Sequence, residues 1–161
     1  RGFGLPTLDN WWYSRREIFG NQIFSRKGGY QELAKSLKKG MEVAVLFDQN
    51  VKANHATFVP FFGIPAATTK ALGFAALRTS AKVVFAVGLE TKGQAYRYKL
   101  LAEEVPFEPS PELSAEENTK ALMLKLHKIS EATIRQYPEQ WLWIHRRFKT
   151  RPPGEAEDFY Q

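Results

Sequence analysis

At 161 residues the chain is long enough for one domain with a sizeable core, and its 43% hydrophobic and 14% aromatic content excludes a disordered polymer. Twenty-three Lys and Arg against seventeen Asp and Glu leave a net charge of +6, which favours anionic partners: nucleic acid, acidic lipid or an acidic carrier protein. The absence of cysteine excludes disulfides, thiolate zinc sites and a cysteine nucleophile, and His55, His127 and His145 lack metal-ligand spacing.

In chain order, Arg1-Gly-Phe-Gly-Leu-Pro6 reads like the middle of a loop, as if the chain were part of something longer. Asn10 to Phe19 is expected to be helical, and Gln22-Ile-Phe24 a short strand. Gly28-Gly29 opens a clearer helix with Tyr30, Leu33 and Leu37 on one face, ended by Gly40. Met41 to Phe47 is a valine-containing apolar run before Asp48, the pattern of a buried parallel strand. Pro65 is placed in the first turn of a helix reaching about Thr79, and Lys82 to Leu89 is a second buried strand. Tyr96 to Leu101 follows as an antiparallel neighbour, and Pro106, Pro109 and Pro111 mark a surface linker. Ser114-Ala-Glu-Glu117 forms a capping box for a helix with Leu122, Leu126, Ile129 and Thr133 on one stripe, ended by Pro138. The fold expected is α/β, a mixed, mainly parallel sheet with helices on both faces, in a single domain over 1–161.

Three blocks carry chemistry. Asp48-Gln49-Asn50 closes the strongest expected strand, the edge where open α/β sheets bind ligands; these residues suit orienting a hydroxyl or fixing an arginine, or simply a solvated turn. Phe61-Phe-Gly-Ile-Pro-Ala-Ala-Thr-Thr69 is too apolar for an ordinary loop: exposed it would face lipid, and buried it suits a tight crossing into a helix whose N-terminus receives an anion. The third block runs from Gln140 to Arg151. It interleaves Trp141, Trp143 and His145 with Arg146, Arg147, Lys149 and Arg151, a mixture able to anchor at an interface and reach phosphate or carboxylate oxygens. It equally fits a closing strand with buried tryptophans and solvated cations.

Asp48-Gln49, Val59-Pro-Phe-Phe-Gly-Ile-Pro-Ala-Ala-Thr68 and Pro138-Glu-Gln-Trp-Leu-Trp-Ile-His-Arg-Arg-Phe-Lys-Thr-Arg-Pro152 together resemble the late acyltransferases of lipid A biosynthesis, in order and spacing. The resemblance runs from Arg1 to about Pro152, and it implies a glycerolipid-acyltransferase-like fold of which this chain is the C-terminal part. The implied reaction moves a fatty acyl chain from an acyl-thioester, on acyl carrier protein or coenzyme A, to a hydroxyl of a phosphorylated glycolipid. The implied place is the cytoplasmic face of the bacterial inner membrane, and no cofactor or metal is called for. The family's general base is a histidine in a His-x4-Asp/Glu motif, which this sequence lacks. His127 meets only a four-residue offset to Glu131 and reads as a surface or half-buried helix residue. The missing motif is expected upstream of Arg1, beside a hydrophobic anchor, so the chain alone is expected to be inactive. Val84-Phe85 also departs from the family, which usually has proline after the valines.

On this reading Asp48 and Arg1 support catalysis, Arg1 by matching the family's arginine near the catalytic motif. Gln49, Arg146, Arg147, Lys149 and Arg151 bind substrate, and Trp141 and Trp143 support that surface or sit at a lipid boundary. The alternatives are a noncatalytic module for anionic lipid or acidic carrier, and a nucleic-acid-binding domain. No RNA-recognition or helix-turn-helix signature supports the second, so no nucleic-acid partner is expected.

Overall fold

The computed structural model describes residues 3–24, 28–155 and 159–160 of a mixed α/β chain. It falls into two units, Arg1–Val43 and Ala44–Gln161. In the first unit, α1 (Pro6–Glu17) starts earlier than the sequence suggested, with Pro6 in its first turn where a missing N–H costs nothing. The Asp9 carboxylate accepts the N–H groups of Phe3 and Gly4 at 2.6 and 3.2 Å and so pins the approach to that helix. Helix α2 (Gly29–Lys38) ends as the glycine predicted: Gly40 has φ 76°, its N–H donates to Leu37, and the Met41 N–H reaches back to Ser36. The strand expected at Gln22–Phe24 is not formed, since it has no paired neighbour among the described residues.

The second unit is built from two hairpins and two helices. Strands β1 (Ala56–Phe61) and β2 (Ile64–Thr69) pair antiparallel around Phe62-Gly63. Both turn residues have positive φ, 49° and 80°, which makes this a two-residue turn of the primed type that matches strand twist. A phenylalanine there is unusual, and its neighbours hold it: its N–H donates to Glu131 at 2.7 Å, and the Arg135 guanidinium lies 4.9 Å from its ring. Phe61 and Ile64 flank the turn as the hydrogen-bonded pair, so the next pair, Pro60 and Pro65, turns its backbone outward, where proline is tolerated. Strands β3 (Val84–Glu90) and β4 (Tyr98–Glu104) form the second antiparallel hairpin.

Helix α3 (Ala71–Thr79) follows β2, and α4 (Ala115–Gln136) carries the expected capping box: Glu117 N–H to Ser114 Oγ at 3.2 Å and Ser114 N–H to Glu117 Oε2 at 2.8 Å. Leu122, Met123 and Leu126 of α4 meet Val59 of β1 and Phe85 of β3 in the main core. Ile134, Phe61 and Ala66 make a second cluster, flanked by Trp141 and Phe148.

Three expectations change. The mainly parallel sheet is not found: every strand pair among the described residues is antiparallel, because each strand is satisfied by its hairpin partner. Met41–Phe47 is not a strand. Its end serves instead as core lining, with Phe47 edge-on to Phe85 at 6.2 Å and stacked on His127 at 6.3 Å. The helix expected from Pro65 begins only at Ala71, because Phe62-Gly63 turns the chain back on itself and makes residues 64–69 a strand.

Where α3 crosses α4 the contact is close enough to require glycine: a Cβ on Gly73 would stand 2.5 Å from Thr119 Cγ2. Gly73→Ala should therefore destabilise the protein by about 1–3 kcal/mol, overpacking outweighing the better helix propensity of alanine. Adding Thr119→Ala should recover part of the loss in denaturant titrations; a stabilised single variant would contradict the tight crossing.

Candidate functional site

Hydrogen bonding brings the three chemical blocks together, although they are far apart in sequence. Asn50 is the first junction. Its N–H donates to His145 Nε2 at 2.9 Å, its side-chain amide donates to Thr150 Oγ1 at 3.0 Å, and its Oδ1 accepts the Thr150 N–H at 3.1 Å. The second junction is Arg147, only 3% exposed, which reaches the hairpin. Its Nη1 donates to the Ala67 carbonyl at 2.8 Å and its Nη2 to Thr68 Oγ1 at 2.6 Å. The third is Arg151, which donates to the Pro65 carbonyl at 3.0 Å and pairs with Glu155. Gln140 adds a fourth, exchanging hydrogen bonds with the backbone N–H and carbonyl of Glu90 at 2.7 and 3.2 Å.

His127 lies at the centre of the second junction. It is 1% exposed, so the expected surface or half-buried position is corrected to full burial. The Pro60 carbonyl, 2.9 Å from Nδ1, can only accept, which places the ring proton on Nδ1. Nε2 is then a bare acceptor, 3.0 Å from Thr68 Oγ1 and 3.2 Å from Arg147 Nη2. Burial is the main force pulling the His127 pKa down, to about 4; the Pro60 carbonyl opposes it, the Arg147 charge adds to it, and Glu131 opposes it at longer range. The helical offset to Glu131 does not make a catalytic pair, since that carboxylate is spent on the Phe62 N–H and on Arg135.

Burial lowers Arg147 to about 10, with Asp48 and then Tyr160 countering it, so it remains a cation at neutral pH. Asp48 thus acts on the buried guanidinium through its field, without a direct ion pair. The Arg147 Nε–H is left without a hydrogen-bond partner.

The other expected site residues fall into two groups. Gln49, Arg146 and Lys149 are exposed, with the Arg146 guanidinium 5.6 Å from the Tyr160 ring. Arg147 and Arg151 spend their donors on the hairpin. Arg1 lies outside the described residues. The tryptophans divide as well: Trp141 packs on Phe61 at 5.9 Å, whereas Trp143 is exposed. Sequence reasoning missed Thr68 and His127 as partners of Arg147. The available signal was on α4, where Met123, His127 and Ser130 repeat at helical spacing beside the expected stripe. Among the described residues no group of three His, Asp or Glu side chains could hold a metal ion.

The sequence that builds this hairpin, the cationic and aromatic segment clasping it and the Asp-Gln-Asn turn has relatives among known proteins. The family model described as bacterial lipid A biosynthesis acyltransferase matches residues 4–150. The chain belongs to that family. It is 34% identical over 151 residues to the lipid A biosynthesis lauroyltransferase of Escherichia coli (strain K12), covering 92% of this chain and 47% of that protein. The palmitoleoyltransferase of lipid A biosynthesis from the same organism is 31% identical over 152 residues, with 92% and 47% covered. The myristoyltransferase is 30% identical over 156 residues, with 97% and 46% covered. The chain thus spans about half the length of the curated relatives it matches. Among the described residues no helix is long and apolar enough to cross a membrane.

The neutral His127 makes stability depend on pH in a defined direction. Its folded pKa of about 4 lies below the ordinary 6.5, so its contribution is complete above pH 6.5 and is lost as pH falls toward 4. The loss should amount to roughly 2–4 kcal/mol. Chemical denaturation across that window should show it, and His127→Gln should flatten the profile; an unchanged slope in that variant would rule out His127 as its source.

Proposed function

We propose that this chain is part of an acyltransferase that moves a fatty acyl chain from an acyl-thioester, carried on acyl carrier protein or coenzyme A, to a hydroxyl of a phosphorylated glycolipid at the cytoplasmic face of the bacterial inner membrane. The observation that carries the reading is that the C-terminal cationic segment ties the other two blocks together, through Asn50 bonded to His145 and Thr150 and through Arg147 and Arg151 bonded to the hairpin. Membership of the lipid A acyltransferase family supports the reaction class. The chain is read as a portion of a larger glycerolipid-acyltransferase-like domain.

In this reaction the acceptor oxygen bonds to the thioester carbonyl carbon, its proton passes to a general base, and the carrier thiolate leaves. The base is assigned to a His-x4-Asp/Glu motif elsewhere in the full protein. The residues here position. The Asp48 carboxylate favours the charged form of the buried Arg147, and Asn50 locks the Asp48 turn to the cationic segment. Exposed Arg146 and Lys149 take glycolipid phosphate oxygens, and exposed Gln49 is assigned to the substrate as well. Arg147 and Arg151 hold the surface that presents those cations. Arg1 is kept as a supporting residue by the resemblance alone.

The test is acyl transfer by the full natural chain, using labelled acyl-thioester and a phosphorylated glycolipid acceptor. Arg146→Ala and Lys149→Ala should raise KM for the acceptor several-fold and leave kcat nearly unchanged, the mark of binding that is equal in ground and transition states. Asp48→Asn should lower kcat by about 10²-fold, the scale expected when a reacting group is misplaced by an ångström. Absence of transfer by the full chain would leave a noncatalytic module for anionic lipid or acidic carrier. Full activity of Asp48→Asn would remove Asp48 from the machinery.

A further inference from the structure

The segment after the 3-10 turn at Pro138–Gln140 contains a feature that the positioning role does not use. Leu142, Trp143 and Ile144 are consecutive, bulky and apolar, yet they stand 65%, 63% and 88% exposed. Runs of exposed apolar residues are uncommon on soluble surfaces and mark places where something apolar is met. The turn is held in shape from within. The Trp143 N–H donates to the Trp141 carbonyl at 2.9 Å and the His145 N–H to the Leu142 carbonyl at 3.0 Å. The indole N–H of Trp143 donates to the Pro138 carbonyl at 2.6 Å. Its one polar group is therefore satisfied by protein, and the ring can enter an apolar medium without stranding a donor. Trp141, two residues earlier, is turned into the core against Phe61, so the segment separates an anchor from a projecting tip.

Charge selects the occupant. Immediately after the tip come Arg146 and Lys149, both exposed, while the intervening Arg147 is buried. An apolar tip followed within a few residues by exposed cations fits the boundary of an anionic bilayer, with acyl chains for the former and headgroup phosphates for the latter. We propose that Leu142-Trp143-Ile144 is a membrane-docking wedge that seats in the headgroup–acyl boundary of anionic bilayers, with Arg146 and Lys149 on the lipid phosphates. This goes beyond the acyl-transfer reading, since it stands or falls on lipid contact whether or not the chain transfers acyl groups.

The 161 residues contain no cysteine, so a single label can report from the tip. Ile144→Cys in the full natural chain, labelled with an environment-sensitive fluorophore, would be mixed with vesicles of phosphatidylcholine alone or with added phosphatidylglycerol. Unsubstituted protein carried through the same labelling gives the background, and an unchanged melting temperature confirms the fold. The expected result is a blue-shifted, brighter emission with the anionic vesicles, quenched by nitroxides placed near the headgroups. Arg146→Gln and Lys149→Gln should each weaken that response roughly fivefold, the worth of one cation at an anionic surface. Three results would overturn the proposal: a label already shielded before lipid is added, which means that protein covers the tip; an equal response to neutral and anionic vesicles; or a response to acidic carrier protein but not to vesicles. Because the readout is fluorescence, it is independent of the transfer assay.

Discussion

Taking a guanidinium out of water costs several kcal/mol unless its donors are answered, and Arg147 imposes that constraint on the larger unit. Its partners come from β2, from α4 and, through the field of Asp48, from the turn before β1. Together they answer both Nη groups of the buried cation, and its Nε–H alone stays unpaired. His127 meets the demand by staying neutral with its lone pair toward Arg147, an arrangement that the Pro60 carbonyl enforces from the opposite side of the ring. The positions of the hairpin, the long helix and the C-terminal segment are thus three aspects of one electrostatic condition.

That condition also divides the work within a short stretch of sequence. From Arg146 to Lys149 the chain alternates, presenting one cation outward, sinking the next, half-burying Phe148 and presenting Lys149. Cations of the same type do different jobs because the chain turns here: the Lys149 N–H donates to the Arg146 carbonyl at 3.2 Å, and the turn sinks Arg147 while Arg146 and Lys149 stay exposed. The buried member fixes the segment, and Arg146 and Lys149 remain exposed on either side of it. Replacing Arg147 by lysine would keep the charge but lose the forked geometry that reaches Ala67 and Thr68 together.

Features fixed by local chemistry were legible in the sequence. The Ser114–Glu117 capping box, the glycine stop after α2 and the antiparallel pairing of β3 with β4 depend on residues close together in the chain, and each is found where expected. Features fixed by distant partners were not. Nothing local tells whether Met41–Phe47 has strands to pair with, and the apolar run reads the same as a strand or as core lining. The Phe62-Gly63 turn was obscured because phenylalanine rarely takes a left-handed conformation, and the Glu131 and Arg135 contacts that hold it come from about seventy residues away. The site was legible as three blocks in order. Which arginine would be buried depended on Thr68 and His127, residues that no spacing rule connects to position 147.

The paired prolines of the first hairpin have a consequence for how the protein behaves in a crowded solution. A strand edge with free donors and acceptors is a template on which another chain can add itself. At Pro60 and Pro65 the outward donors do not exist, and the outward carbonyls are already taken, by the His127 ring and the Arg151 guanidinium. The most apolar hairpin in the chain therefore offers nothing there for strand-to-strand self-association. The same side chains that assemble the site occupy, at that pair, the carbonyls a second strand would need.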